Sequence, residues 1–193
     1  MNNNYLIIGV PRSGTTSLMK SISSANNLPY VYEPLRFETD ITDIKDVVIK
    51  TQLHQINSLT NSGNVTNEHL KKCILFYVEF SKQFDNVILI NRRDTKSQSE
   101  SLSAHHNGIN EKLKYVYSEQ VYDDKAKLLY NNIELLNKYL IKLSEMIKIP
   151  IDTYEDVYYG DGLINKSILI DKEILNIKNK YRQTIYDNVK TLI

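Results

Sequence analysis

Two glycines five positions apart frame the segment Gly9-Val10-Pro11-Arg12-Ser13-Gly14-Thr15-Thr16-Ser17. Its residue types suit one task, the holding of a phosphate or sulfate group. Glycine lets the backbone turn tightly, so that successive N–H groups converge on one point. A helix starting just after the second glycine adds the partial positive charge of its N-terminus. Thr15, Thr16 and Ser17 add hydroxyl donors. Arg12 adds a permanent charge whose forked N–H groups match phosphate or sulfate oxygens. Being always protonated, it can stabilise a developing negative charge but cannot supply a proton.

The glycine spacing is that of a P-loop. Two positions argue against triphosphate chemistry. A Walker loop has lysine directly after its second glycine, and here that residue is Thr15. The partner strand of a Walker site ends in an aspartate that holds magnesium, whereas the apolar run Val87–Ile90 is followed by Asn91 and Arg92. An anion cradle without a metal ligand suits a phosphosulfate, because a sulfuryl group in transfer carries less charge than a γ-phosphoryl group. No metal is therefore expected. Two alternatives stay open: a P-loop nucleotide kinase or hydrolase with a degenerate Walker motif, and a non-catalytic nucleotide-binding protein.

Pro11-Arg12-Ser13-Gly14-Thr15-Thr16 resembles the 5′-phosphosulfate loop of the sulfotransferase superfamily. Those enzymes take sulfuryl groups from 3′-phosphoadenosine 5′-phosphosulfate and release 3′-phosphoadenosine 5′-phosphate. The cytosolic steroid and phenol enzymes have lysine at the position of Arg12. The tyrosylprotein, carbohydrate and bacterial trehalose-type enzymes have arginine, as here. The family's second motif follows a strand and offers an arginine and a serine eight residues apart to the donor's 3′-phosphate. Arg93 and Ser101 have that spacing, and Arg92-Arg93-Asp94 with Gln98 and Ser101 most resembles the bacterial trehalose-type branch. A third match, Ile151-Asp-Thr-Tyr-Glu-Asp-Val157, is similar to a Tyr-Glu-Asp-Leu segment after a late strand, and it implies that Tyr154 approaches the nucleotide. The cytosolic branch also has an Arg-Lys-Gly segment near its C-terminus, which this chain lacks; Lys178, Lys180 and Arg182 are the candidate substitutes.

Transfer to a hydroxyl also needs a base. The resemblance implies two places for it. The cytosolic enzymes carry Lys-Thr-His-Leu at a strand end, and this chain carries Lys50-Thr51-Gln52-Leu53, with an amide that cannot accept the proton. Glu33-Pro34-Leu35 instead resembles the Glu-Pro-Leu segment of carbohydrate sulfotransferases, which makes Glu33 the expected base and Arg12 its catalytic partner. Pro34 favours an extended backbone at Glu33. A structural alternative pairs Glu33 with Arg36. His54, two residues beyond Gln52 and so on the same strand face, is the second candidate base. His105 and His106 follow the second motif and fit an acceptor pocket or solvent. The implied ligands are thus the donor, held by residues 11–17, Arg93, Ser101 and Tyr154, and a hydroxyl-bearing acceptor, a carbohydrate or small molecule being favoured.

The elements that must position these residues can be read from periodicity. Tyr5–Ile8 is a short apolar run, and 14–24 has Leu18, Met19 and Ile22 on one helical face. Val47–Ile49, Val87–Ile90 and 151–154 read as further strands. Residues 68–84 read as a helix with Leu70, Ile74, Val78 and Phe84 inward, and 94–106 as another. The apolar positions 128, 129, 133, 135, 136, 140, 143 and 147 predict a long amphipathic helix over 125–148. Asn57–Asn67 is a loop, the stretch 54–67 with 105–124 is expected to wall the acceptor site, and 172–190 closes the chain as one or two helices. Strands alternating with helices predict an α/β, P-loop-like three-layer fold: a mostly parallel sheet of four to five strands, helices on both faces, residues 1–193 as one domain.

Composition sets outer bounds. Hydrophobic residues make up 41% and charged residues 24%, the balance of a globular chain with its own core. A net charge of +1 gives no general surface for nucleic acid or membrane, so any anion site is local. The single cysteine, Cys73, rules out an internal disulfide and reads as a core thiol. The start, Met1-Asn-Asn-Asn4, lacks the basic opening and cleavage site of a signal peptide, and no apolar stretch approaches a membrane span. A cytoplasmic location is expected.

Overall fold

The computed structural model describes residues 3–37, 45–56, 65–96, 98–99, 102 and 119–159, with backbone alone over 36–37, 119–131 and 159. Five strands form one parallel sheet: β1 Tyr5–Gly9, β2 Tyr30–Tyr32, β3 Val48–Gln52, β4 Asn86–Asn91 and β5 Ile151–Thr153. Their spatial order is β2-β3-β1-β4-β5. The helices are α1 Thr15–Asn26, the single turn α2 Pro34–Phe37, α3 Asn67–Ser81, α4 Glu119–Ile147 and α5 Tyr154–Tyr159.

Parallel sheets need apolar cover on both faces, and the strand sequences supply it. Leu6, Ile8, Ile49 and Leu89 join Leu70, Cys73, Tyr77, Leu136, Leu140 and Leu143 on the side of α3 and α4. Ile7, Val48 and Ile90 join Leu18, Met19, Ile22 and Tyr158 on the side of α1 and α5. The result is three layers, as the alternation of strands and helices predicts. At the lower edge, Asn4 ties β1 to the turn before β4: its Oδ1 accepts from Asp85 N–H at 2.7 Å and its amide donates to Gln83 O at 3.0 Å.

Element boundaries follow local chemistry. Thr66 caps α3, its hydroxyl accepting from His69 N–H at 3.2 Å, so that helix starts at Asn67. Asn27 ends α1 in a left-handed turn (φ 53°), its N–H meeting Ser23 and Ser24 carbonyls, which carries the helix past Ser24. α4 begins at Glu119, earlier than the apolar period indicates. β2 is a strand the sequence reading omits; its exposed Tyr30 and Tyr32 make it an edge with no apolar run. The predicted helix over 172–190 lies outside the described residues.

β1 feeds α1 on one face while β3 feeds α3 on the other, so the sheet reverses its winding around β1. In such sheets ligands bind beyond the carboxyl ends of the strands at that switch. The segment 9–17 leaves β1 there. Among the described residues no helix is long and apolar enough to cross a membrane.

Candidate functional site

The loop between β1 and α1 is held from below. Ser13 is fully buried, and its hydroxyl donates to Val10 O at 2.6 Å and Ile90 O at 3.2 Å. Val10 N–H also donates to Ile90 O, at 3.3 Å, and Leu53 N–H donates to Gly9 O at 3.0 Å. The loop is therefore stitched to both neighbouring strands, and the Ser13 side chain serves the loop's own shape. A Cβ on Gly9 would lie 2.3 Å from the Thr15 methyl, so only glycine permits this close return of the chain. Gln98 ties the loop from the segment after β4: its Nε2 donates to Pro11 O at 2.6 Å. Its Oε1 is buried with no hydrogen-bond partner among the described residues.

The upper side of the loop offers donors. Arg12 (φ 65°) and Gly14 (φ 80°) are both left-handed. Turns of this hand beside right-handed residues form N–H-lined concavities for anions. A left-handed arginine costs on the order of 1–2 kcal/mol, so the surrounding contacts must impose it. No side chain caps α1, and the N–H groups of Gly14, Thr15 and Thr16 take no acceptor among the described residues. Arg12, Thr16 and Ser17 are half-buried at the same place, while Thr15 is buried.

Gly14 also meets α5. Added to it, a Cβ would lie 2.7 Å from the Tyr154 ring and 2.8 Å from the Tyr158 ring. The Tyr158 hydroxyl donates to Gly14 O at 2.9 Å and also bonds the Ser17 side chain. The two tyrosine rings pack against each other with centres 4.6 Å apart and planes inclined at 40°, and the Arg92 guanidinium lies 5.1 Å from the Tyr154 ring centre. Tyr154 thus stands between the loop and the second motif. Burial pushes the Tyr158 phenol well above its ordinary value, so it acts as a donor rather than a charge.

The second motif is bound to the third. Glu155 accepts from Arg93 N–H at 3.0 Å and Asp94 N–H at 3.4 Å, and its Oε1 is 3.7 Å from Arg92 Nε. Asp156 forms an ion pair with the Arg93 guanidinium, which is 60% exposed. Asp156 is fixed in turn by Thr153, whose hydroxyl donates to its Oδ2 at 2.6 Å and accepts from its N–H at 3.2 Å. The Thr153 hydrogen bond and then Arg93 hold the Asp156 carboxyl below its usual range. Ser101, His105, His106, Lys178, Lys180 and Arg182 lie outside the described residues, as does most of the expected acceptor wall.

On the other side of the loop stands Glu33. It is 1% exposed and forms an ion pair with Lys50, itself 1% exposed. Gln52 Nε2 donates to the same Oε1 at 3.1 Å. The register Ile7↔Lys50 and Gly9↔Gln52 puts Lys50 and Gln52 on the α1 face of the sheet. The two places the resemblance implies for a base, residue 33 and residue 52, are therefore neighbours in space. Lys50 Nζ also lies 4.4 Å from the Tyr32 ring centre.

Two expectations need correction here. Glu33 is not extended before Pro34 but left-handed, with φ 46°. Its N–H donates to Lys50 O at 2.8 Å, and this bond with the buried ion pair overrides the local preference of a residue before proline. Among the described side chains its cationic partner is Lys50; the side chain of Arg36 lies outside them. His54 is not on the strand, because β3 ends at Gln52; its carbonyl accepts from His69 Nε2 at 2.8 Å in the following turn. Lys50 itself was missed by motif. A charge inside the apolar run Val47–Leu53 was the available signal, since a lysine on a buried central strand needs a buried partner. Tyr158 carried no comparable signal.

Cys73 is a core thiol, fully buried, with Sγ 3.2 Å from His69 Nε2, and burial pushes its pKa up to about 12.

A parallel sheet of order 2-3-1-4-5 with a glycine-framed loop between β1 and α1 defines a P-loop-like α/β protein. No protein-family model matches the chain. No curated protein matches it either. Among solved structures it is similar to a de novo designed PLOOP2X3 fold protein determined by solution NMR, at 14% identity over 74% of this chain and 96% of that one, with a TM-score of 0.28.

Proposed function

We propose that this chain is a sulfotransferase that moves a sulfuryl group from 3′-phosphoadenosine 5′-phosphosulfate to an acceptor hydroxyl. The observation that carries the proposal is the uncapped start of α1 beside a left-handed Arg12 and Gly14. It supplies backbone donors and one fixed cation where a 5′-phosphosulfate would lie. Arg93, at the end of the strand next to β1, supports the 3′-phosphate assignment, with Ser101 as its companion by spacing.

The residues divide the chemistry. Gly14–Thr16 N–H groups and Arg12 bind and orient the phosphosulfate, with Thr16 and Ser17 beside them. The acceptor oxygen forms a bond to sulfur as the bond from sulfur to the 5′-phosphate oxygen breaks. The leaving electron pair stays on that phosphate oxygen, where Arg12 offsets it. The acceptor's proton goes to the Glu33 carboxylate. Lys50 and Gln52 fix that carboxylate. A carbohydrate or small alcohol is the favoured acceptor.

One feature favours a non-catalytic nucleotide-binding protein as the second reading. Glu33 is buried and already engaged, so an acceptor must reach a carboxylate that is 1% exposed. Transfer of labelled sulfate from the donor to a panel of hydroxyl acceptors separates the two. The enzyme gives a labelled product, and Glu33→Gln lowers turnover roughly 10²–10⁴-fold while donor affinity holds. Tight binding of 3′-phosphoadenosine 5′-phosphate with no transfer to any acceptor would favour the second. Near wild-type turnover in Glu33→Gln would remove Glu33 as base.

A further inference from the structure

We infer that α5 is a strut that couples the two anion subsites, with Tyr158 and Glu155 as its positioning residues; this rests on the donor assignment proposed above. The helix has six residues, Tyr154–Tyr159, yet it touches both motifs. Toward the loop, Tyr158 donates to Gly14 O at 2.9 Å, and both tyrosine rings press on the Gly14 Cα closely enough to exclude any Cβ. Toward the second motif, Glu155 fixes the Arg93 and Asp94 N–H groups and sits beside Arg92, while Asp156 holds the Arg93 side chain.

The strut is internally stiff. Tyr154 and Tyr158 pack against each other one helical turn apart, and the Arg92 guanidinium lies over the Tyr154 ring. Thr153 and Asp156 close a reciprocal cap at its start, which is anchored to the sheet through the pairing of Asn91 with Thr153. A shift of Arg93 toward a bound phosphate must therefore move Glu155 or Asp156, and with them the tyrosines that set Gly14. Gly14 carries the first free N–H of α1. Occupation of one subsite thus presets the geometry of the other, and a ligand with both phosphates gains more than the sum of its halves.

The test uses three nucleotides on the full chain: adenosine 5′-phosphate, adenosine 3′-phosphate and 3′-phosphoadenosine 5′-phosphate, titrated by calorimetry. Tyr158→Phe keeps the ring and removes the hydroxyl that bonds Gly14 O and the Ser17 side chain. It should weaken adenosine 3′-phosphate roughly threefold to tenfold, although it lies at the other subsite. Glu155→Gln keeps an acceptor and removes the charge, and should weaken adenosine 5′-phosphate by a similar factor. Amide NMR gives a second readout in proteins whose dispersed spectra show that they are folded. Adenosine 3′-phosphate should move the Gly14 resonance in the wild type and leave it in place in Tyr158→Phe. Variant effects confined to the nearer subsite, or an unmoved Gly14 in the wild type, overturn the strut and leave the donor assignment standing. A wild type that binds none of the three overturns both.

Discussion

The loop between β1 and α1 and the Glu33 cluster beside β3 are built by opposite means. The loop collects its charge from backbone dipoles, needs small residues, and is contiguous in sequence. The Glu33 cluster collects its charge from side chains seventeen and nineteen positions apart, joined only when β2 pairs with β3. A backbone site tolerates changes of side chain that preserve its turns. A buried ion pair tolerates almost no single change, because either partner left alone is an uncompensated charge.

That contrast can be broken most severely at Lys50. Lys50→Ala should destabilise the fold by about 3–5 kcal/mol, read as a lower midpoint of urea unfolding, because Glu33 stays buried without its counter-ion. The paired change Lys50→Met with Glu33→Gln should recover most of that loss while remaining inactive. A single variant as stable as the double would show that the pair carries no buried-charge penalty. Gly14→Ala comes next. A left-handed alanine costs about 1–2 kcal/mol, and the tyrosine contacts of 2.7 and 2.8 Å add to it. Loss of stability should be partly relieved by trimming Tyr154, and no relief would mean that α5 does not press on the loop.

The smallest effect is expected far from both regions. Burial pushes the Cys73 thiol pKa up to about 12, whereas the unfolded chain releases the proton near the ordinary thiol value of 9.0. The stability this contributes is complete below pH 9 and is lost as pH rises from 9 toward 12. Thiol labelling of the native protein should be slow and should follow unfolding. Fast labelling at neutral pH would contradict a core role.

The same contrast explains what could be read from sequence. Gly9, Arg12, Gly14 and the hydroxyls after them declare a strand–loop–helix turn because each local choice agrees with its neighbours, and β1 and α1 flank it as expected. The core strands and the long helix were legible from their periods, with Leu70, Ile74, Ile133, Leu136, Leu140 and Leu143 buried as expected. β2 was not, because an exposed edge strand flanked by tyrosines has no apolar alternation to read. Tyr77 was missed for a related reason: its hydroxyl is satisfied by Thr51 at 2.8 Å and the Gln52 carbonyl at 3.0 Å, a pairing only the folded sheet creates. The left-handed Glu33 ran against its own dipeptide preference, since a tertiary ion pair and one backbone bond outweighed it.

Co-crystallisation with 3′-phosphoadenosine 5′-phosphate tests the central claim most directly. The 5′-phosphate should sit about 3 Å from the N–H groups of Gly14–Thr16, with Arg12 on its oxygens and the 3′-phosphate at Arg93. A nucleotide bound elsewhere, or a loop that takes magnesium–ATP and rejects this ligand, would contradict it.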